Sequence, residues 1–349
     1  MPAEVQRQSR PVDRRSLRIL VIRAGRLGDT VWASTVLEGL QAHYCGEAAI
    51  DLLVYRGMSG LFYRDPRVQE VMEIRRRSFP AILSPTKHRI IRHSRRTPYT
   101  LAIDLETGTD FLDCLDRLEA TRKIRARDIL DPGARNHIVF QMRQVLEHCI
   151  PASTAQNAYP RLHAPGTTAI RERLGLRKDY LLLHPGNSQI SRNRPSLRAW
   201  PVSHWRELAG MIRQRFPGLE LLLLGERREH AHTESIAPGL SGIRNLCGTL
   251  TLPELLDLAA GARALLSSDT GPSHVAAALN TPVIALFGPT DPDFTGPWNS
   301  GSGQTRILRH SLPCSPCVHQ PDFGRCAHQR CMRELFPVEA LHALSEFIA

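Results

Sequence analysis

The chain has 349 residues, a formal net charge of +11 at pH 7, 42% apolar residues and eight cysteines. That length exceeds one ordinary α/β unit and suits two domains of roughly 100–200 residues each. No window approaches the roughly 18 uninterrupted apolar residues of a membrane span. Met1–Arg18 is polar and Arg-rich, so neither an export signal nor a membrane anchor is expected there.

Residues 1–16 are expected to form a disordered basic tail. Arg18–Arg23 is a short apolar strand, followed by the loop Ala24–Asp29 and a helix from Thr30 to about His43. Ala49–Tyr55, Val68–Ile74 and Thr100–Leu105 read as further strands, and His137–Cys149 as a helix. Between Arg75 and Arg96 the pattern breaks into eight basic residues with two prolines, and a helix is expected near Lys87–Ser94. Residues 1–165 carry 26 Lys+Arg against 18 Asp+Glu, the remainder 19 against 16. The first half is therefore expected to meet an anionic partner. No aromatic-rich strand or nucleic-acid motif accompanies the basic segment, so no nucleic-acid partner is expected.

Pro151–Gly166 reads as a linker, which places one domain at residues 17–160 and a second at 166–349. The second half repeats the alternation. Tyr180–His184 and Leu219–Leu224 are strands, Ser203–Phe216 and Leu252–Ala260 are helices, and Val338–Ile348 is a last amphipathic helix. The fold class is α/β, with two Rossmann-like halves and a cleft between them.

The densest motif is Ser267–His274, between the strand Ala264–Ser267 and the helix beginning near Gly271. Gly271 permits close backbone approach, and Pro272 suits a helix start. The helix N-terminus offers free N–H groups and partial positive charge to an anion, with Asp269, Thr270 and His274 around it. Gly25–Gly28 lacks dinucleotide-fingerprint spacing, so a nicotinamide cofactor is not expected. Asp29 has two roles open to it, a cap on its own helix and a general base facing the cleft. His184–Ser188 ends a strand with small polar residues, Arg198 is available to phosphate oxygens, and Gly225–Glu229 offers carboxylates in a first helical turn.

The ordered set R-x-x-x-L-G-D, H-P-G-N-S, R-A-W-P, L-G-E-R-R-E, D-T-G-P-S-H-V-A-A-A-L and F-G-P-T-D-P resembles glycosyltransferase family 9, the bacterial heptosyltransferases of lipopolysaccharide core assembly. The resemblance implies the GT-B fold, with two Rossmann-like domains facing each other across a cleft. It also implies inverting transfer of heptose from ADP-heptose to a phosphorylated lipid-linked acceptor. The general base would be Asp29. Asn187 and Ser188 would contact phosphate, Glu229 (or, less well placed, Glu226) the adenosine ribose, and Leu250 adenine. Asp269 would orient heptose, and Thr270, Gly271 and His274 would line the diphosphate and sugar. No cofactor is required for the chemistry. The enzyme is expected in the cytoplasm, peripheral at the inner face of the cytoplasmic membrane. Arg198 stands where the family has lysine, so another nucleotide sugar stays open as the donor.

Cys314, Cys317, Cys326 and Cys331 form a second cluster near the C-terminus. A structural zinc ion, free or redox-active thiols, and a disulfide are all open there. The other cysteines, Cys45, Cys114, Cys149 and Cys247, read as buried thiols.

Overall fold

A computed structural model describes residues 17–75, 79–164, 166–187, 189–190, 196–299, 304–320 and 323–348. The expected N-terminal tail, Arg76, Arg77 and Ser188 lie outside the described residues. Two parallel sheets organise the chain. The first contains β1 (Arg18–Arg23), β2 (Ala49–Tyr55), β3 (Val68–Ile74), β4 (Tyr99–Asp104) and β5 (Ala120–Arg125), in the order β3-β2-β1-β4-β5. The second contains β6 (Tyr180–His184), β7 (Glu220–Leu223), β8 (Ile243–Asn245), β9 (Ala264–Ser268), β10 (Val283–Phe287) and β11 (Thr305–Arg309), in the order β11-β10-β9-β6-β7-β8.

The central strands are apolar on both faces because helices cover both faces of a parallel sheet. Ile19–Ile22 in β1 and all of β6, β9 and β10 are buried. These are the runs that stand out in the sequence. The edge strands do not. β5 is Ala-Thr-Arg-Lys-Ile-Arg and partly exposed along its length, β8 has three residues, and β11 is half exposed.

In the first half, α1 (Leu27–Tyr44) and α4 (Ile138–Glu147) cover one face of the sheet. The helices α2 (Pro85–Arg96) and α3 (Leu112–Arg117) cover the other. α1 starts three residues before the expected Thr30. It is buried almost all round from Thr30 to Leu40, so it lacks the polar stripe of a surface helix. The reason is that its outer side packs against the helix Gly271–Ala278 of the second half. That helix contributes Val275, Ala276, Ala277 and Ala278 to one apolar cluster shared with Val36 and Leu37 of α1, and its small side chains let the two backbones approach. The expected linker contains a helical turn, Ala152–Ala155, and then docks on both halves. The Arg161 N–H donates to Ser34 Oγ at 3.0 Å and the Leu162 N–H to the Ala278 carbonyl at 3.0 Å.

The outer face of the second sheet is covered by the helices Val202–Arg215 and Pro337–Ile348. The fully buried rings of Trp200 and Trp205 meet edge to face there at 5.0 Å. The helix expected at Ser203 begins at Val202 with Pro201 as its cap residue.

Candidate active site

Ligand sites in open parallel sheets lie beyond the C-terminal strand ends, and the predicted residues fall on those ends in both halves. Asp29 is the third residue of α1, not its cap. One carboxylate oxygen accepts the Arg26 N–H at 2.9 Å, and the other accepts from Arg23 Nη2 at 3.1 Å. The expected cap role is thus corrected: Asp29 serves the helix start from its third position, in a capping box with Arg26. The carboxylate secures the helix start and still leaves 35% of its side chain exposed.

Arg23 ends β1 and also donates to the Leu105 carbonyl at 2.8 Å, while its Nε lies 3.8 Å from Glu106. Glu106 accepts the Ala24 N–H at 3.0 Å. Beside it, Asp104 at the end of β4 is completely buried, with Oδ2 lacking a hydrogen-bond partner among the described residues. Burial pushes its carboxyl up to about 7. This Arg23–Asp104–Glu106 group was not anticipated. Its signal was the carboxylate pair closing the apolar run of β4.

On the second half, Thr270 is the cap residue of the helix Gly271–Ala278, and its Oγ1 lies 3.0 Å from His184 Nδ1. Asp269 is buried and ion-paired with Arg198, Nη1 to Oδ2 at 3.4 Å. The Arg198 loop is braced from both sides. Trp200 Nε1 donates to the Leu335 carbonyl at 2.9 Å, and Gln329 Nε2 donates to the carbonyls of Ser196 and Ala199 at 3.1 and 2.7 Å.

Asn187 is buried. Its Oδ1 accepts the N–H groups of Gln189 and Ile190, and its Nδ2 has no partner among the described residues. The Glu229 carboxylate accepts the Glu226 N–H at 2.7 Å and also a bond from the Asn187 backbone. Burial first, then the Glu226 charge, raises it to about 7. Leu250 is half-buried against the core.

His274 joins the two halves. Its ring meets Trp32 of α1 edge-on at 4.8 Å, and a Cβ on Gly28 would come within 3.0 Å of its Cδ2. Burial lowers its pKa to about 4, against the opposing charges of Asp269 and Asp29. Both carboxylates therefore lie within electrostatic reach of one imidazole. Gly271 makes the reciprocal contact, since a Cβ there would meet Leu27 Cβ at 2.9 Å. The absence of a side chain at position 271 thus lets the two halves pack closely. His137, the cap of α4, extends the contact, with Nε2 3.0 Å from the Gly296 carbonyl and its ring 4.8 Å from Trp298.

The structural zinc ion, one of three readings left open for the cysteine cluster, finds no support. Among the described residues no group of three or more His, Cys, Asp or Glu side chains is arranged to hold a metal. Cys331 turns inward toward Gly288, whose added Cβ would lie 3.0 Å from its sulfur, whereas Cys314 and Cys326 are exposed. All eight cysteines are free thiols. The segment instead supports the site: the N–H groups of Cys317 and Val318 donate to the Pro289 carbonyl. Cys45, expected buried, is exposed because it is the left-handed residue that ends α1.

Two parallel α/β halves, with their strand ends converging on a shared cleft, give the GT-B fold. The sequence matches the model of glycosyltransferase family 9 (heptosyltransferase) over residues 118–328, and the chain belongs to that family. It is 26% identical over 326 residues to lipopolysaccharide heptosyltransferase 1 of Pseudomonas aeruginosa, covering 86% of each chain. Over 117 residues, 32% of each chain, it is 36% identical to lipopolysaccharide heptosyltransferase 2 of Escherichia coli. The solved structure of E. coli ADP-heptose lipopolysaccharide heptosyltransferase II shares the fold with a TM-score of 0.75 at 21% identity, covering 95% of this chain and 98% of that one. The E. coli heptosyltransferase WaaC with ADP does so with a TM-score of 0.69 at 18% identity, covering 95% and 99%.

Proposed function

We propose that this glycosyltransferase moves heptose from ADP-heptose to a phosphorylated, lipid-linked lipopolysaccharide core acceptor, with inversion, at the inner face of the cytoplasmic membrane. The observation that carries the reading is that Asp29, held by Arg23 and the Arg26 N–H, and the Arg198–Asp269 pair lie at the strand ends of the two halves, which meet where Gly28 abuts His274.

The acceptor hydroxyl is a weak nucleophile until its proton is taken in the transition state. Asp29 is the base. Arg23 and the Arg26 N–H fix its orientation while one face stays open to the cleft. The acceptor oxygen attacks the anomeric carbon, the bond from that carbon to the diphosphate oxygen breaks, and its electron pair leaves with ADP. One in-line displacement inverts the centre. Negative charge gathers on the departing diphosphate, where the N–H groups of the helix Gly271–Ala278 and the guanidinium of Arg198 oppose it. Asp269 holds Arg198 and the sugar hydroxyls. Asn187, with Nδ2 uncommitted among the described residues, and the adjoining Ser188 contact phosphate. Thr270 lines the diphosphate, Glu229 faces the ribose and Leu250 the adenine. His274, held neutral, supplies a wall between the substrates and no charge.

Asp29→Asn keeps a hydrogen-bond acceptor for Arg26 but cannot take a proton. Transfer should fall by about 10²–10⁴-fold while ADP binding and melting temperature hold, and a fully active variant overturns the assignment. Thermal-shift comparison of ADP-, UDP- and GDP-sugars tests the donor. Stabilisation by a UDP- or GDP-sugar alone rejects ADP-heptose without rejecting the mechanism.

A further inference from the structure

No helix among the described residues is long and apolar enough to cross a membrane. We propose that the turn Phe79–Ser84 and the outer face of α2 form a docking surface for an anionic lipid bilayer. This rests on the lipid-linked acceptor of the reading above, and it names the surface that would bring the cleft to that acceptor.

The turn has an apolar tip. Ile82 and Leu83 are 74% and 64% exposed, the two most exposed large apolar side chains among the described residues, and Phe79 is also exposed. The tip stands on a rigid base. Ala81 is buried and its N–H donates to the Asp113 carboxylate. Lys87, counted among the basic residues of the Arg75–Arg96 segment, is completely buried. Its ammonium donates to the Phe79 carbonyl at 2.8 Å and to the Asp110 carbonyl, lies 3.5 Å from Asp113, and sits over the Phe111 ring at 4.8 Å. Ser84 caps α2 through the Lys87 N–H. A buried ammonium needs this many partners, and here they hold the segment at both ends while leaving its crest in solvent.

The rest of α2 is cationic. Lys87, Ile90, Ile91 and Ser94 face inward at helical spacing, leaving Arg89, Arg92, Arg95 and Arg96 exposed on a helix with no acidic residue. Of these, Arg89 lies 3.6 Å from Glu70 of β3. Exposed apolar side chains beside a row of arginines are the features of a protein lying in a membrane interface. The tip is two side chains wide, too small to form the roughly 800 Å² per partner of a stable protein interface, but enough to enter a headgroup layer. Its position fits as well. The turn follows β3 and is tied to Asp110 and Asp113 after β4. Both lie on the edge of the sheet where β1 delivers Arg23 and Asp29.

The full chain should co-sediment with vesicles of 70% phosphatidylcholine and 30% phosphatidylglycerol, but weakly with phosphatidylcholine alone. Raising salt should weaken the binding. The pair Ile82→Ser with Leu83→Ser, and separately Arg92→Glu with Arg95→Glu, should each lower vesicle affinity about tenfold or more, with unchanged melting temperature. Transfer to a soluble, deacylated acceptor should stay at the wild-type rate in both. Wild-type protein that ignores anionic vesicles, or variants that bind them as wild type does, overturns the proposal. A wild-type dimer dispersed by the Ile82/Leu83 pair, without vesicle binding, assigns the tip to a second copy and also overturns it. If vesicle binding behaves as expected but no core acceptor is glycosylated, the docking surface stands and the heptosyltransfer reading fails.

Discussion

Arg198 Nη1 lies 3.4 Å from the buried carboxylate of Asp269, so the loop Ser196–Trp200 and the end of β9 are held together through the two side chains proposed to grip the donor. Neither residue stands free, and removing one leaves the other's charge without its partner. Arg198→Ala should reduce kcat/KM for the nucleotide sugar by about 10²–10³-fold. Arg198→Lys restores a point charge without the fork, and should recover to within roughly tenfold of wild type. Steady-state kinetics with varied donor checks both. Equal losses in the two variants would mean that the planar fork, not the charge, matters.

The contact between Gly271 and Leu27 gives a prediction about stability. A Cβ at position 271 would lie 2.9 Å from Leu27 Cβ and 2.7 Å from its Cδ2. Leu27 Cβ is fixed to the first residue of α1, so the helix itself must shift. Gly271→Ala should cost about 1–3 kcal/mol in denaturant unfolding. Adding Leu27→Ala removes Cγ and Cδ2 but not Cβ, so recovery should be partial. Gly28→Ala meets only the edge of the His274 ring at 3.0 Å and should cost less. An undisturbed Gly271→Ala protein would show that the halves have slack between them.

The sequence exposed the parts of this molecule that local chemistry dictates. Runs such as Leu20–Ile22 and Leu181–Leu183 mark strands buried on both faces, and Thr270–Gly271–Pro272 marks a helix start whatever surrounds it. What depends on distant partners stayed hidden. Nothing local distinguishes Lys87, buried on two carbonyls and a carboxylate, from the exposed arginines two or more residues along α2. Asp104 and Arg23 are 81 residues apart and become neighbours only because β4 pairs with β1. The close spacing of Cys314 and Cys317 left metal, free thiols and a disulfide all open. The inward turn of Cys331 depends on packing against β10 that no spacing records.

Thiol labelling should follow that packing. Cys45, Cys314 and Cys326 are exposed and should react first with an alkylating reagent. Cys114 and Cys149 are buried, and burial pushes both thiols up to about 12, so the reactive thiolate is scarce as well as shielded. They should label only when the protein unfolds. Time-resolved peptide mass spectrometry at pH 8 reads each site separately. Early labelling of Cys114 would mean that α3 opens on its own.

Asp104 sets a pH dependence with a definite sign. Its carboxyl titrates at about 7 in the folded protein because of burial, with the charge of Glu106 adding and the charges of Arg23 and Arg125 opposing. Unfolded, it returns to roughly 3.9. Between those values the folded state binds more protons, so this group makes stability fall as pH rises from about 4 to about 7. His184 and His274, each lowered to about 4 by burial, slope the other way between about 4 and 6.5. Comparison with Asp104→Asn cancels them, since both proteins carry them. Asparagine keeps an oxygen for the Glu106 N–H, 3.1 Å away, and never ionises. The variant should nearly match wild type at pH 4 and exceed it by up to about 4 kcal/mol at pH 8. Urea unfolding at pH 4, 6 and 8 measures the difference, and a gap that does not widen with pH would remove Asp104 as its source.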